Sequence, residues 1–144
     1  TPHAVVKEMV KLADLKPNDR VYDLGAGDSR LLIAAKRAEP EISAIGCELI
    51  PTVWALGQFC IWKSGQKVTL RFQNILHCDL QDADCVFLYL IPSLMEKLKK
   101  KFDRELRPGT RVVAYVFKIP GKEPEKEVKV PWMGGERAVR VYRW

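Results

Sequence analysis

The sequence predicts an α/β fold built on a mostly parallel sheet. Three observations carry that prediction. Short apolar runs such as "RVYDL", "CVFLYL" and "RVVAYVF" lack the in/out alternation of a half-exposed strand, as strands covered on both faces do. These runs alternate with longer stretches of helical period, which implies parallel strands joined by helices. The last two runs, "KEVKV" and "RAVRVYRW", stand side by side around "WMGGE" and read as an antiparallel hairpin.

The elements follow in order. Thr1 and Pro2 resemble a helix cap with proline at the first helical position, and Val5, Val6, Met9, Val10 and Leu12 form the apolar stripe of that helix. "LKPND" ends it, "RVYDL" is the first strand and "SRLLIAAKRA" the second helix. "EISAIGCEL" is the second strand, and "PTVWALGQFCIWKSG" is a helix closed by Gly65. "KVTLRF" and "CVFLYL" are the third and fourth strands. About a dozen residues separate them, too few for a full helical crossover. Pro92 opens a lysine-rich helix that stops near "RPGT", and "RVVAYVF" is the fifth strand. No helix is expected before the hairpin. The whole is a minimal Rossmann-like, doubly wound sheet with a C-terminal antiparallel hairpin, and residues 1–144 are expected to form one domain.

Composition narrows the function classes. The chain has 144 residues, 47% hydrophobic and 29% charged, the balance of a globular domain with its own core. No apolar run approaches the roughly 20 residues that cross a bilayer, and no signal-peptide pattern is present. Cys47, Cys60, Cys78 and Cys85 form no C-x-x-C pair, which argues against zinc, and no metal is expected. Cys47 and Cys85 read as small core residues, so a reducing, cytoplasmic compartment is expected. The net charge of +6 leans toward acidic partners. Much of it lies in "EKLKKKFDRELR", where Leu94, Leu98 and Phe102 recur at helical spacing with Lys97, Lys99, Lys100 and Lys101 between them, the pattern of a solvated helix face.

The chemistry concentrates in "VYDLGAGDSR". Asp23 ends a buried strand, and a buried carboxylate needs a ligand or a hydrogen-bond network to offset its desolvation. Gly25 and Gly27 permit a tight turn and close approach of a ligand, and the following helix offers free N–H groups. A phosphate loop would need G-K-[ST], which is absent; the dinucleotide fingerprint would need glycine where Arg30 stands. What remains is an acid two residues before G-x-G, with Asp23, Gly25, Ala26 and Gly27. A second acid, Glu48, ends the second strand about 20 residues further on, where a carboxylate accepts from ribose hydroxyls. Leu49 and Ile50 follow and could pack on adenine. Plainer readings stand beside these: a simple strand-to-helix turn for the glycines, a helix cap for Glu48, a turn former for Asn74, a polar loop residue for His77. Trp54 and Trp62 read as core, Trp132 and Trp144 as edge packing.

The acid–G-x-G stretch resembles motif I of the class I S-adenosylmethionine-dependent methyltransferases. That resemblance implies S-adenosyl-L-methionine as cofactor, with Asp23 holding its ammonium group directly or through water. It implies that Asn74 binds the adenine amino group and that the Ile75 N–H meets a ring nitrogen. One departure is Ser29, which stands at the third glycine of the usual G-x-G-x-G. Serine fits there with negative φ, or as the cap of the next helix.

The end of the fourth strand, where the reacting atom sits, reads "LYLIPS". It lacks the [ND]-P-P-[YF] motif of enzymes that methylate exocyclic base amines, and Pro92 is followed by Ser93 rather than a nucleophilic cysteine. Nothing points to DNA. Together with "TPHAVV", "VYDLGAGDSR", "LRPGTRVV" and the closing hairpin, this stretch resembles a small protein-lysine methyltransferase family. That family includes archaeal broad-specificity enzymes and mitochondrial enzymes acting on ATP synthase c-subunit and adenine nucleotide translocase. The resemblance implies a protein substrate carrying a target lysine, and makes Tyr89 the candidate to orient the amine; a strand tyrosine packed in the sheet is the alternative. A monomer is expected. Other readings remain: a small-molecule or RNA methyltransferase of the same fold, or a catalytically idle cofactor-binding domain, suggested by Ser29 and the reduced size.

Overall fold

The computed structural model describes residues 1–144. In chain order the elements are α1 (His3–Leu12), β1 (Arg20–Leu24), α2 (Arg30–Ala38), β2 (Ser43–Glu48), α3 (Pro51–Ser64), β3 (Val68–Phe72), a 3-10 turn (Ile75–His77), β4 (Cys85–Leu88), α4 (Pro92–Glu105), β5 (Arg111–Tyr115), β6 (Lys126–Trp132) and β7 (Gly135–Arg143). The seven strands form one sheet in the order β3-β2-β1-β4-β5-β7-β6. The first five are parallel; β7 runs antiparallel to both β5 and β6. This is the doubly wound sheet with an antiparallel C-terminal hairpin that the sequence predicts.

Alternate residues of each strand feed two cores, as a period of two requires. Val21, Phe87 and Val113 pack with α1, α2 and the inner side of α3. Tyr22, Leu24, Val86, Leu88 and Val112 pack with Met95, Leu98 and Phe102 of α4. Asp23 follows Val21 on the α1–α3 face. The parallel strands all end at one edge of the molecule, and β1 lies at its centre between β2 and β4. Ligands bind at that position in open α/β sheets because the connections diverge there and leave a crevice.

Several local expectations hold. Pro51 and Pro92 occupy first-turn positions, and Gly65 closes α3 at φ +71. Cys47 and Cys85 are wholly buried, and all four cysteines are free thiols. Trp144 packs edge-on against Phe102 at 5.3 Å.

Others are corrected. Thr1 does not cap α1; Pro2 occupies the cap position without a side-chain bond. Lys101 is not on a solvated face but buried, because Glu105 one turn away takes its charge. Its partner carboxylate also accepts the Leu80 N–H at 3.3 Å. Trp62 is not core but 77% exposed. The α3 helix is apolar nearly all round, so period alone does not tell which side turns inward.

Candidate active site

The site begins where β1 ends. Gly25 and Gly27 take φ +80 and +58, left-handed conformations that glycine adopts without strain. The N–H groups of Gly25 and Ala26 both donate to the Cys47 carbonyl, at 2.9 and 3.0 Å. The Gly27 N–H donates to Glu48 Oε2 at 3.0 Å. The other oxygen, Oε1, accepts from Leu49 N–H at 2.9 Å and Ile50 N–H at 3.0 Å. One buried carboxylate thus ties the glycine turn to the segment that leads into α3, whose cap position is Ile50 and carries no side-chain bond. A carboxylate has about four acceptor positions, and three are taken, which leaves room for a hydroxyl.

Asp23 differs. It is 5% exposed and no protein hydrogen bond or ion pair reaches its carboxyl, although the amino group of Thr1, which lines the same cavity, partly offsets its charge. Burial foremost, then the nearby charges of Glu48 and Asp28, push its pKa up from 3.8 to about 7. It lines a cavity of about 280 Å³ with Gly25, Ala26, Gly27 and Tyr89. An unpaired, buried acid facing a cavity suits a ligand that brings its own positive charge.

The loop after β3 joins the site through the Gln73 N–H, which donates to the Glu48 carbonyl at 3.2 Å. Asn74 Oδ1 accepts the Leu76 N–H at 3.0 Å, so the side chain caps the 3-10 turn, as the turn-former alternative has it. Leu49 is half exposed at the mouth of α3. Glu48, Leu49, Asn74 and Ile75 therefore continue the site along the ends of β2 and β3, outside the cavity that Asp23 lines.

Ser29 contradicts both expectations placed on it. Its φ is +66, and its side chain makes no capping bond. The hydroxyl is buried without a hydrogen-bond partner. The turn keeps the left-handed path that glycine would follow, and serine tolerates it at a cost of about 1–2 kcal/mol. Sequence reasoning also missed Gly57. A Cβ there would come within 2.6 Å of Leu70 and 2.8 Å of the Gly27 carbonyl. Its bare backbone lets α3 lie against the glycine turn, and a lone helical glycine facing no obvious partner gives no sequence signal of that contact.

On the β4 side the strand stops at Leu88, so Tyr89 is 45% exposed at the cavity rather than packed within the sheet. Its ring leans on that of Tyr115, centroids 4.8 Å apart. Tyr115 was also missed; it ends β5, is buried, and its hydroxyl has no partner. Burial, then Tyr89, raises its pKa. Val116 follows at φ +74, a strained value for a β-branched residue. Its N–H donates to Ala138 O at 2.9 Å and its carbonyl accepts from Arg140 at 2.8 Å, which hold the kink in place.

Residues 23–126 match the family described as the ANTKMT methyltransferase domain. A protein-lysine N-methyltransferase of Saccharolobus islandicus (strain REY15A) is 35% identical over 132 residues, 90% of this chain and 82% of that protein. The chain belongs to the ANTKMT methyltransferase-domain family. The adenine nucleotide translocase lysine N-methyltransferase of Mus musculus is 31% identical over 141 residues; the match covers 96% of this chain but 58% of that enzyme. The solved structure of an RNA methyltransferase from Salinibacter ruber, in complex with S-adenosyl-L-homocysteine, superposes with a TM-score of 0.90 at 32% identity, covering 99% of this chain and 92% of that one. The protein is thus an S-adenosylmethionine-dependent methyltransferase of Rossmann-like fold. No helix is long and apolar enough to cross a membrane.

Proposed function

We propose that this methyltransferase modifies the side-chain amine of lysine in protein substrates, acting as a monomer in the cytoplasm. The observation that carries the reading is Tyr89, exposed at the cavity that Asp23 lines and backed by Tyr115. The extended similarity to a protein-lysine N-methyltransferase supports it. Four free thiols support a reducing compartment.

When bound, S-adenosylmethionine supplies an electrophilic methyl group on a sulfonium. Asp23 holds the ammonium group of that cofactor, and the charge it gains offsets the burial of the carboxylate. Glu48 uses its remaining acceptor position for a ribose hydroxyl. Gly25, Ala26 and Gly27 let the backbone close around the ligand, Leu49 packs on the adenine, and Asn74 with the Ile75 N–H reads its polar edge. Tyr89 would orient the incoming amine toward the cofactor, and holding the two together would provide much of the acceleration. Of the carboxyls lining the cavity, Asp23 is committed to the ammonium group and Asp28 to Arg30, so the phenol of Tyr89 is the one group left beside the amine. A lysine amine, with an ordinary pKa of about 10.4, loses its proton to solvent before transfer, so the rate at limiting substrate rises with pH through about 8 to 9.

A second reading has one observation behind it: the Salinibacter ruber relative is described as an RNA methyltransferase and is 32% identical. One experiment separates the two. The enzyme is incubated with cell lysate and methyl-labelled cofactor, and the products are divided between protease and ribonuclease. Label that survives ribonuclease and maps by mass spectrometry to Nε-methyllysine supports the lysine reading. Label lost to ribonuclease overturns it in favour of RNA.

A further inference from the structure

The stretch between Glu48 and Asp79 contains no Asp or Glu, yet holds Lys63, Lys67 and Arg71. It includes α3, which turns only Gly57 and Ile61 fully inward. The outward arc, read at helical spacing, carries Ala55, Leu56, Phe59, Trp62 and Lys63. Leu56, Phe59 and Trp62 are 51%, 55% and 77% exposed. Phe59 and Trp62 lie with ring centroids 6.0 Å apart, so they form one patch rather than scattered side chains. Contiguous exposed apolar surface of this kind marks a binding face. These residues are separate from the Asp23 cavity.

Cations border the patch along one side. There lies a groove of about 570 Å³ between α1, α2 and α3, whose walls include Arg30, Arg37 and Lys63. Its one acid, Asp28, is already taken by Arg30. The face therefore has an apolar centre containing a tryptophan and, along one side, Arg37 and Lys63, which form no ion pair.

The geometry points to an anionic lipid bilayer as the occupant. Leucine, phenylalanine and tryptophan enter the boundary between headgroups and acyl chains, and lysine and arginine at the rim meet the lipid phosphates. A second copy of this chain fits poorly, because a two-fold contact centred on the patch would bring Arg37 and Lys63 of both copies into one seam with no acid from the patch between them. Nucleic acid would need cations along the line of the aromatics, whereas the centre of this arc is aliphatic and aromatic only. The inference concerns a face whose apolar centre lies outside the Asp23 cavity, and it is tested without turnover.

The test is co-sedimentation of the full chain with vesicles of phosphatidylglycerol and phosphatidylcholine, compared with phosphatidylcholine alone. Retention by the anionic vesicles, weakening as salt rises, is the expected result. Phe59→Ser with Trp62→Ser is expected to weaken it roughly tenfold or more. Unchanged S-adenosylmethionine affinity of that variant would show that it folds. Arg37→Gln with Lys63→Gln is expected to weaken binding several-fold and flatten its salt dependence; these surface changes keep the proposal testable if the apolar pair fails to fold. Absence of retention on anionic vesicles overturns the proposal, as does equal retention by the Phe59/Trp62 variant. So does a dimer in solution, or a complex with single-stranded RNA, that those substitutions abolish.

Discussion

Replacing Asp23 by asparagine separates two effects that meet at one side chain. The buried carboxyl keeps its proton up to about pH 7, against an ordinary value of 3.8. An acid raised in the folded state contributes stability that is fully present below its ordinary value and is lost as pH rises through the folded one. At roughly 1.4 kcal/mol per pH unit, the gap of about three units places the cost of the charged carboxylate at about 4 kcal/mol. Burial sets most of it; Glu48 and Asp28 add to it. Asp23→Asn keeps the shape and removes the charge. The ligand-free variant is therefore expected to exceed the parent in stability by up to about 4 kcal/mol near pH 8, with the gap closing toward about pH 4. Cofactor affinity should move the other way. In the parent it rises up to about tenfold per pH unit and levels off above about 7, because only the ionised carboxylate holds the ammonium group. In the variant this component of the pH dependence is lost and affinity is lower by roughly 1.5–3 kcal/mol. Urea unfolding across pH gives the first quantity and titration calorimetry the second. A variant no more stable than the parent near pH 8, with the same affinity and slope, would refute the reasoning: Asp23 would then be neither an unpaired acid nor the cofactor's partner.

Three further outcomes follow from the same geometry. Ser29→Gly relieves a left-handed serine and removes a buried hydroxyl without a partner, so it should stabilise by about 1 kcal/mol and leave cofactor affinity equal or better, checked by thermal melts and calorimetry. Gly57→Ala drives a methyl group into Leu70 and the Gly27 carbonyl, and is expected to cost about 1–3 kcal/mol in urea unfolding and to weaken cofactor binding by moving α3 off the turn. Tyr89→Phe keeps the stack on Tyr115 but loses the hydroxyl, so kcat on a lysine peptide should fall at least about tenfold while cofactor affinity stays within about twofold; equal losses in both would remove the orienting role.

Much of this site was legible in the sequence because its parts are local. A buried strand, an acid and two glycines are contiguous in "YDLGAG", and Glu48 lies at the end of the next strand. The order of strands and helices followed from period alone. What escaped depends on contacts between distant segments. Ser29 takes a glycine's conformation because the turn around it is fixed by Cys47 and Glu48. Lys101 is buried because Glu105, itself held by the Leu80 amide, meets its charge in the fold. Tyr115 and Gly57 matter through the rings and backbone they touch, and neither is part of a motif. Trp62 faces outward because α3 is apolar on both sides, so its pattern carried no direction.

A crystal structure with S-adenosyl-L-homocysteine and a lysine-containing peptide tests the central claim most directly. The account predicts the ligand's ammonium group within about 3 Å of the Asp23 carboxylate, a hydrogen-bonding distance. It also predicts the ribose on Glu48, adenine between Leu49 and the Asn74–Ile75 loop, and the lysine amine beside Tyr89, facing the sulfur. Ligand bound away from the glycine turn, or a lysine amine held by groups remote from Tyr89, would contradict it.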